Sequence, residues 1–225
     1  MSAVPVIAID GPAASGKGAV AQAVADQLGF HYLDSGAIYR AAALAVVTAG
    51  IDLGAPNLPE KDIATVATRM RLSFKDGQVF IADHNVIESI RSEECGKNAS
   101  KIAVLPMLRS ALLELQHNFR RSPGLVAEGR DMGTVIFPDA GLKIFLTATA
   151  EVRAARRHKQ LMEKGINAKM LDLLTEIEER DARDVERTIA PLRVGETTVT
   201  IDTSTLDLAQ SIDVIMKLCK SNVMQ

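Results

Sequence analysis

A short apolar run, "VPVIAID" (4–10), leads into the glycine-rich segment "GPAASGKG", and an apolar-periodic stretch follows. A nearly continuous run rich in β-branched side chains and closed by Gly-Pro has the pattern of a strand buried on both faces of a parallel sheet. Past the glycines, Val20, Val24 and Leu28 recur at i, i+4 and i+8, and Gly29 supplies a stop, so the spacing predicts a helix over this stretch. Strand, Gly-x4-Gly-Lys loop and helix in that order form a phosphate-binding unit. Successive backbone N–H groups converge on an anion, the helix adds its positive N-terminal end, and the lysine adds a point charge. Gly11, Gly16 and Lys17 fit that spacing.

The strand pattern returns in "FHYLD" (30–34), "GLVAEG" (124–129), "LKIFLTA" (142–148) and "TTVTID" (197–202), with helical segments between. Alternation of this kind predicts an α/β fold with a parallel sheet covered on both faces. Residues 71–91 break the rhythm with the short runs "RLSFK", "QVFIA" and "NVIESI", the first two separated by Asp76-Gly77, a hairpin-type pair. The expectation is a small antiparallel insertion flanked by helices at about 60–70 and 92–121. In the second of these, Leu105, Leu108, Leu112, Leu115 and Phe119 form one buried stripe. A chain of 225 residues accommodates one domain of this type: a core of 1–58 and 122–225, an insertion of about 59–121, and a charged segment at about 153–168.

Net charge −2 and a pI of about 6.1 leave no global basic field for nucleic acid or an anionic membrane. The apolar stretch "AAALAVVTAGI" is shorter than the roughly 20 residues of a membrane span, and the first ten residues lack a basic leader. Cys95 and Cys219 lie outside any metal or disulfide spacing, which fits a reducing cytoplasm. The expectation is a cytoplasmic protein with no nucleic-acid or membrane partner.

Charged and hydroxyl residues collect where the predicted strands end. "LDSGAIYR" sets Ser35 at a helix start with Tyr39 and Arg40 one turn in, beside the alternative of an ordinary exposed helix start. "VAEGRDMG" puts Arg130 and Asp131 at a carboxyl strand end, the edge where α/β proteins bind ligands, with Glu128 as a candidate for a magnesium-bound water or a capping carboxylate. "ERDARDVER" spaces Arg180, Asp184 and Arg187 along one helix face, with Asp181 and Arg183 offset; a solvated, salt-bridged face is the alternative. Arg153, Arg156 and Arg157 form a second basic face, either a lid over donor phosphates or a polar helix surface.

Taken together, "IDGPAASGKG", "LDSGAIYR", "GRDMGTVIFPDA" and "ERDARD…R…AP" resemble the bacterial-type cytidylate kinases in order and spacing over essentially the whole chain. The resemblance implies the P-loop nucleoside monophosphate kinase fold, with a five-stranded parallel core, a lid and an acceptor-binding insertion. It implies transfer of the ATP γ-phosphoryl group to CMP or dCMP by a monomer, with Mg2+ accompanying ATP. Carried onto this sequence, it assigns Gly11, Pro12, Ala13, Ala14, Ser15, Gly16, Lys17, Gly18 and Ala19 to ATP phosphates, with Arg157 from the lid. Lys17, Arg130 and Arg187 become the catalytic cations. Arg40 and Arg130 fall on the CMP phosphate, and Ser35 and Tyr39 lie in the same acceptor-side motif. Ser100, Arg109 and Asp131 fall on the cytosine edge, Arg180 and Asp184 on the ribose, and Arg187 on a further acceptor position.

Gly18 occupies the place where the strict phosphate-loop pattern has Ser or Thr. In the nucleoside monophosphate kinases "GKG" is followed by a hydroxyl residue, so the departure within this motif is Ala19. One hydroxyl contact to phosphate or hydrated metal is lost, about 1.5–3 kcal/mol when the partner is charged. A non-catalytic nucleotide-binding protein therefore stands as an alternative, and, on the acceptor side, a kinase for UMP or another monophosphate.

Overall fold

A computed structural model describes residues 4–75, 77–163 and 165–222. By chain contacts these fall into two compact units, one made of 1–33 with 119–225 and the other of 34–118.

In the first unit, strand β1 (Val6–Asp10) runs into helix α1 (Lys17–Leu28), which Gly29 closes in a left-handed conformation before β2 (His31–Asp34). The strands predicted from "GLVAEG", "LKIFLTA" and "TTVTID" appear as Leu125–Gly129, Leu142–Thr147 and Val199–Asp202. Among the described residues the sheet they complete has five strands, in the spatial order of the first, second, third, fourth and fifth as 2-3-1-4-5. The first strand sits in the middle, parallel to both neighbours, with Asp10 level with Gly129 on one side and Phe145 on the other. All five of its residues are buried, as a strand covered on both faces requires. Ile7, Ile9, Val20, Val24, Ile144, Leu146 and Ile215 meet in one core cluster, where each such side chain contributes about 1.5–3 kcal/mol on burial.

The second unit holds helices α2 (Ser35–Thr48) and α3 (Glu60–Arg69), then an antiparallel sheet of β3 (Leu72–Lys75), β4 (Gln78–Ile81) and the two-residue β5 (His84–Asn85). The hairpin pairs Lys75 with Gln78; of its predicted turn, Gly77 has φ 71° and Asp76 lies outside the described residues. Most of "NVIESI" is not strand: Ile87–Ile90 form one helical turn, α4, started by the Asn85 side chain accepting from the Ile87 amide. The single helix expected over 92–121 is two, α5 (Glu93–Ile102) and α6 (Pro106–His117). Pro106 is the reason, because its ring excludes helical backbone at Leu105, which lies at ψ 117°. Leu108 and Leu112 of the predicted stripe are fully buried, and Leu105, Leu115 and Phe119 partly so.

The chain then returns to the first unit through β6 (Leu125–Gly129), a π-helical turn at Met132–Ile136, and β7 (Leu142–Thr147). It continues with α7 (Ala150–Glu163), α8 (Met170–Val185), β8 (Val199–Asp202) and α9 (Leu208–Asn222). No helix among the described residues is long and apolar enough to cross a membrane.

Candidate functional site

The glycine loop leaves the carboxyl end of the central strand, beside the segment that follows β6. Gly11 passes so close to β7 that a Cβ there would collide with the Leu146 carbonyl oxygen, which explains a glycine at the start of the loop. Lys17 begins α1 and is buried. Its Nζ donates to the Pro12 carbonyl at 3.1 Å and lies 3.8 Å from Glu128 Oε2. The cation is thus held over its own loop, with a carboxylate from β6 as counter-charge and the Tyr32 hydroxyl 3.5 Å from the other Glu128 oxygen. Ser15 is buried, and its hydroxyl has no hydrogen-bond partner among the described residues. Ala19 is exposed on the first turn of α1.

Asp10 was given no role from sequence, yet it joins the two halves of this edge. Its carboxylate accepts from the Met132 amide at 2.8 Å and the Gly133 amide at 2.9 Å, fastening the segment after Arg130-Asp131 to the end of β1. Burial pushes its pKa up from 3.8 to about 6, with help from the Asp131 charge and against the two amides and Lys17. The raised value favours the folded state below the unfolded pKa, and that advantage disappears as pH rises through 6. Between pH 4.5 and 7, wild type should therefore lose about 2 kcal/mol of unfolding free energy relative to Asp10→Asn, read by urea denaturation. A pH-independent difference between the two would contradict the assignment.

Arg130 and Asp184, predicted separately, meet: Arg130 Nε donates to Asp184 Oδ2 at 2.7 Å. Arg187 donates to the other oxygen of Asp184. Arg187 is not on the helix face assigned to it, because α8 ends at Val185 and Glu186 caps it; it reaches Asp184 from just beyond the end. Asp184 is fully buried. Burial alone would raise its pKa, but the Arg130 and Arg187 guanidiniums, with Arg180 adding to them, outweigh it and hold the carboxyl below the ordinary value. Arg183 is exposed and 3.7 Å from Glu179, the solvated pairing the sequence allows.

Asp181 is no solvated bystander. It accepts at 2.6 Å from Arg153 of α7, which is buried and also donates to the Ala148 and Ala13 carbonyls. Arg156 donates to Ser15 O and to Thr203 and Leu206 on the segment between β8 and α9. Arg157 is partly exposed on the same helix.

Within the 34–118 unit, Asp34 caps α2 by accepting from the Ala37 amide, and Ser35 and Tyr39 are buried in that helix. Arg40 NH1 donates to Ile90 O and Ser92 O, and its guanidinium packs so tightly on Gly96 that a Cβ there would come within 2.8 Å of it. Arg109 donates to Ala103 O and lies 5.9 Å above the Tyr39 ring centroid, within cation–π range. Ser100 is partly buried on α5.

The family model described as cytidylate kinase matches residues 7–221. The chain belongs to the cytidylate kinase family. A cytidylate kinase of Polynucleobacter asymbioticus is 53% identical over 99% of this chain and 100% of its own length. Those of Cupriavidus necator, at 52% over 96% of each chain, and Methylococcus capsulatus, at 50% over 98% and 97%, are similar to the same extent. A crystal structure of an uncharacterized protein from Eubacterium ventriosum shares the fold, with a TM-score of 0.52 and 16% identity over 97% of this chain and 99% of that one.

Proposed function

We infer that the protein transfers the γ-phosphoryl group of ATP to CMP or dCMP, giving ADP and the nucleoside diphosphate. The observation that carries this is the pairing of Arg130 and Arg187 with Asp184 in a chain of the cytidylate kinase family that also carries the Gly-x4-Gly-Lys loop. Phosphoryl transfer needs alignment and charge neutralisation more than covalent help from the protein. Residues 11–19 and the N-terminal end of α1 hold the donor phosphates, and Lys17 supplies positive charge as the group moves. Arg40 and Arg130 grip the acceptor phosphate, with Ser35 and Tyr39 also binding the acceptor, Arg180 and Asp184 the ribose, and Arg187 the acceptor side of the transferring group. Guanidinium groups suit this work because they bind phosphate oxygens bidentately and stay charged. Arg130 and Arg187, fixed by one buried carboxylate, need little reordering before acceptor binds.

Mg2+ accompanies ATP in this reading. Among the described residues no group of three His, Cys, Asp or Glu side chains is placed to hold a metal. The oxygen donors at the loop, the orphan Ser15 hydroxyl and the Glu128 carboxylate, fit a magnesium ion bound chiefly by phosphate and water. When bound, the ion neutralises phosphate charge. Of the lid segment at about 153–168, Arg153 and Arg156 are fastened to the loop, and the stretch beyond them that carries Arg157 closes over the donor and excludes water; Lys164 within it lies outside the described residues. The core of 1–58 and 122–225 carries the donor site and the insertion of about 59–121 part of the acceptor site. The molecule acts as a cytoplasmic monomer without nucleic-acid or membrane partners, in keeping with its near-neutral charge and two buried free thiols.

Selection of cytosine rests on Asp131, Arg109 and Ser100. Cytosine presents an N4 amino donor beside N3 and O2 acceptors, whereas uracil presents O4 and an N3–H. The buried Asp131 carboxylate accepts from N4 but repels O4, and Arg109 donates to N3 or O2 of cytosine. Asp131→Ala should lower kcat/KM for CMP sharply, leave UMP unchanged or raise it as the repulsion of O4 is removed, and so narrow the CMP:UMP ratio by at least about tenfold. Equal losses for both acceptors, in a variant whose circular dichroism matches wild type, would remove Asp131 from base recognition.

A further inference from the structure

The phosphate loop is held from outside by the α7–α8 pair at three successive residues. Arg153 donates to the Ala13 carbonyl at 3.2 Å and Arg156 to the Ser15 carbonyl at 3.2 Å. Between them Ala14, with φ 56°, packs against the apolar cluster of Ala154, Leu161, Leu173 and Ile177 that joins α7 to α8. A peptide unit is planar, with its C=O and the following N–H pointing in opposite directions. Fixing the Ala13 oxygen toward α7 turns the Ala14 N–H away from α7, and fixing the Ser15 oxygen does the same for the Gly16 N–H. Two of the amides of the anion cradle thus take their direction from arginines that lie behind the loop.

Arg153 differs from Arg156 in what holds it. Its side chain is only 6% exposed, and it spends Nε on the Ala148 carbonyl at the end of β7, NH1 on the loop, and NH2 on Asp181 of α8 at 2.6 Å. A buried guanidinium with three acceptors on three elements has little freedom, and Asp181 supplies its counter-charge. Asp181 lies one residue from Arg180 and three from Asp184, on the helix that carries the acceptor-side cluster.

We propose that Arg153 is a positioning residue for donor binding: clamped by Asp181, it orients the phosphate-loop amides toward the donor phosphates without touching the nucleotide. This rests on the reading of residues 11–19 as the donor loop and adds to it a residue behind that loop. The consequence is that donor affinity depends on a carboxylate of α8. Lysine at 153 keeps a positive charge but, with one ammonium group at the end of a flexible stem, cannot satisfy the same three acceptors in a fixed fork.

The test is ATP binding by calorimetry, with Mg2+ and no acceptor, for wild type, Arg153→Lys, Asp181→Asn and the double variant, together with KM for ATP and for CMP and thermal melting. Arg153→Lys should weaken ATP binding roughly tenfold and Asp181→Asn about three- to tenfold, as expected for loss of a charge-assisted hydrogen bond in the clamp. The double variant should bind about as weakly as Arg153→Lys alone, since the two act as one unit. KM for CMP at saturating ATP should stay within about twofold, a split that general loosening of the fold does not produce. Unchanged ATP affinity in folded Asp181→Asn, or equal losses for ATP and CMP, would overturn the proposal. A wild-type protein that binds no ATP would instead overturn the reading of the loop itself.

Discussion

Lys17→Ala should lower kcat for CMP phosphorylation by about 10³ while changing CMP affinity less than about threefold. The lysine is buried at the start of α1, with Nζ on the Pro12 carbonyl and Glu128 3.8 Å away, so its charge is set in place before substrate arrives. A charge fixed in that way acts most on the state in which negative charge is redistributed between donor and acceptor, and less on the ground state. Loss of the Lys17 charge beside Glu128 also costs stability, so Lys17→Ala combined with Glu128→Gln should recover some stability but not the rate. Stopped-flow or coupled-assay kcat beside calorimetric CMP binding separates the two effects. Equal reductions in rate and in CMP affinity would assign Lys17 to acceptor binding instead.

Asp184→Ala is expected to be the most destabilising substitution in the site, by about 3–5 kcal/mol. It removes the one carboxylate shared by Arg130 and Arg187, whose side chains are 15% and 8% exposed, and leaves two guanidiniums facing each other in a closed space. For a chain of this size that corresponds to a melting temperature lower by about 10 °C. CMP binding should weaken as well, since both arginines lose their fixed position. The pH dependence provides a second check. With its folded pKa held below 3.8, Asp184 stabilises the protein above that value, and the contribution disappears as pH falls through the folded pKa. Acidification should therefore cost wild type stability that Asp184→Ala has already lost. A melting temperature within 2 °C of wild type would show that the arginines find other partners.

The parallel core was legible because its signals are local. Buried strands read as apolar runs, and α1 carries both its periodicity and its stop, so the five strands fall inside the predicted stretches. The insertion was harder. Leucine spacing runs past Pro106 without a visible break, and only the backbone exclusion at Leu105 divides the helix. "NVIESI" has enough β-branched residues to read as strand, but Asn85 starts a helical turn through its own side chain. In the site, the glycine loop and the Arg130, Asp184 and Arg187 group were visible as motifs. Asp10 was not, and Arg153 showed only as one of three arginines on a basic face, for opposite reasons. Asp10 hides as the last residue of an apolar strand, and its role consists in two amides more than a hundred residues away. Arg153 sits in a helix crowded with charge, where sequence cannot tell the buried arginine from the half-buried Arg156 and Arg157 beside it.

The measurement that bears most directly on the account is ADP release by the purified wild-type protein, with Mg-ATP as donor, across CMP, dCMP, UMP and AMP. Turnover with CMP and dCMP, and kcat/KM for UMP lower by about a hundredfold or more, is the predicted result, since UMP leaves a buried carboxylate facing an oxygen. No ADP formation above background with CMP or dCMP, from a protein that binds ATP, would contradict it and leave Ala19 as the mark of a nucleotide-binding protein without turnover.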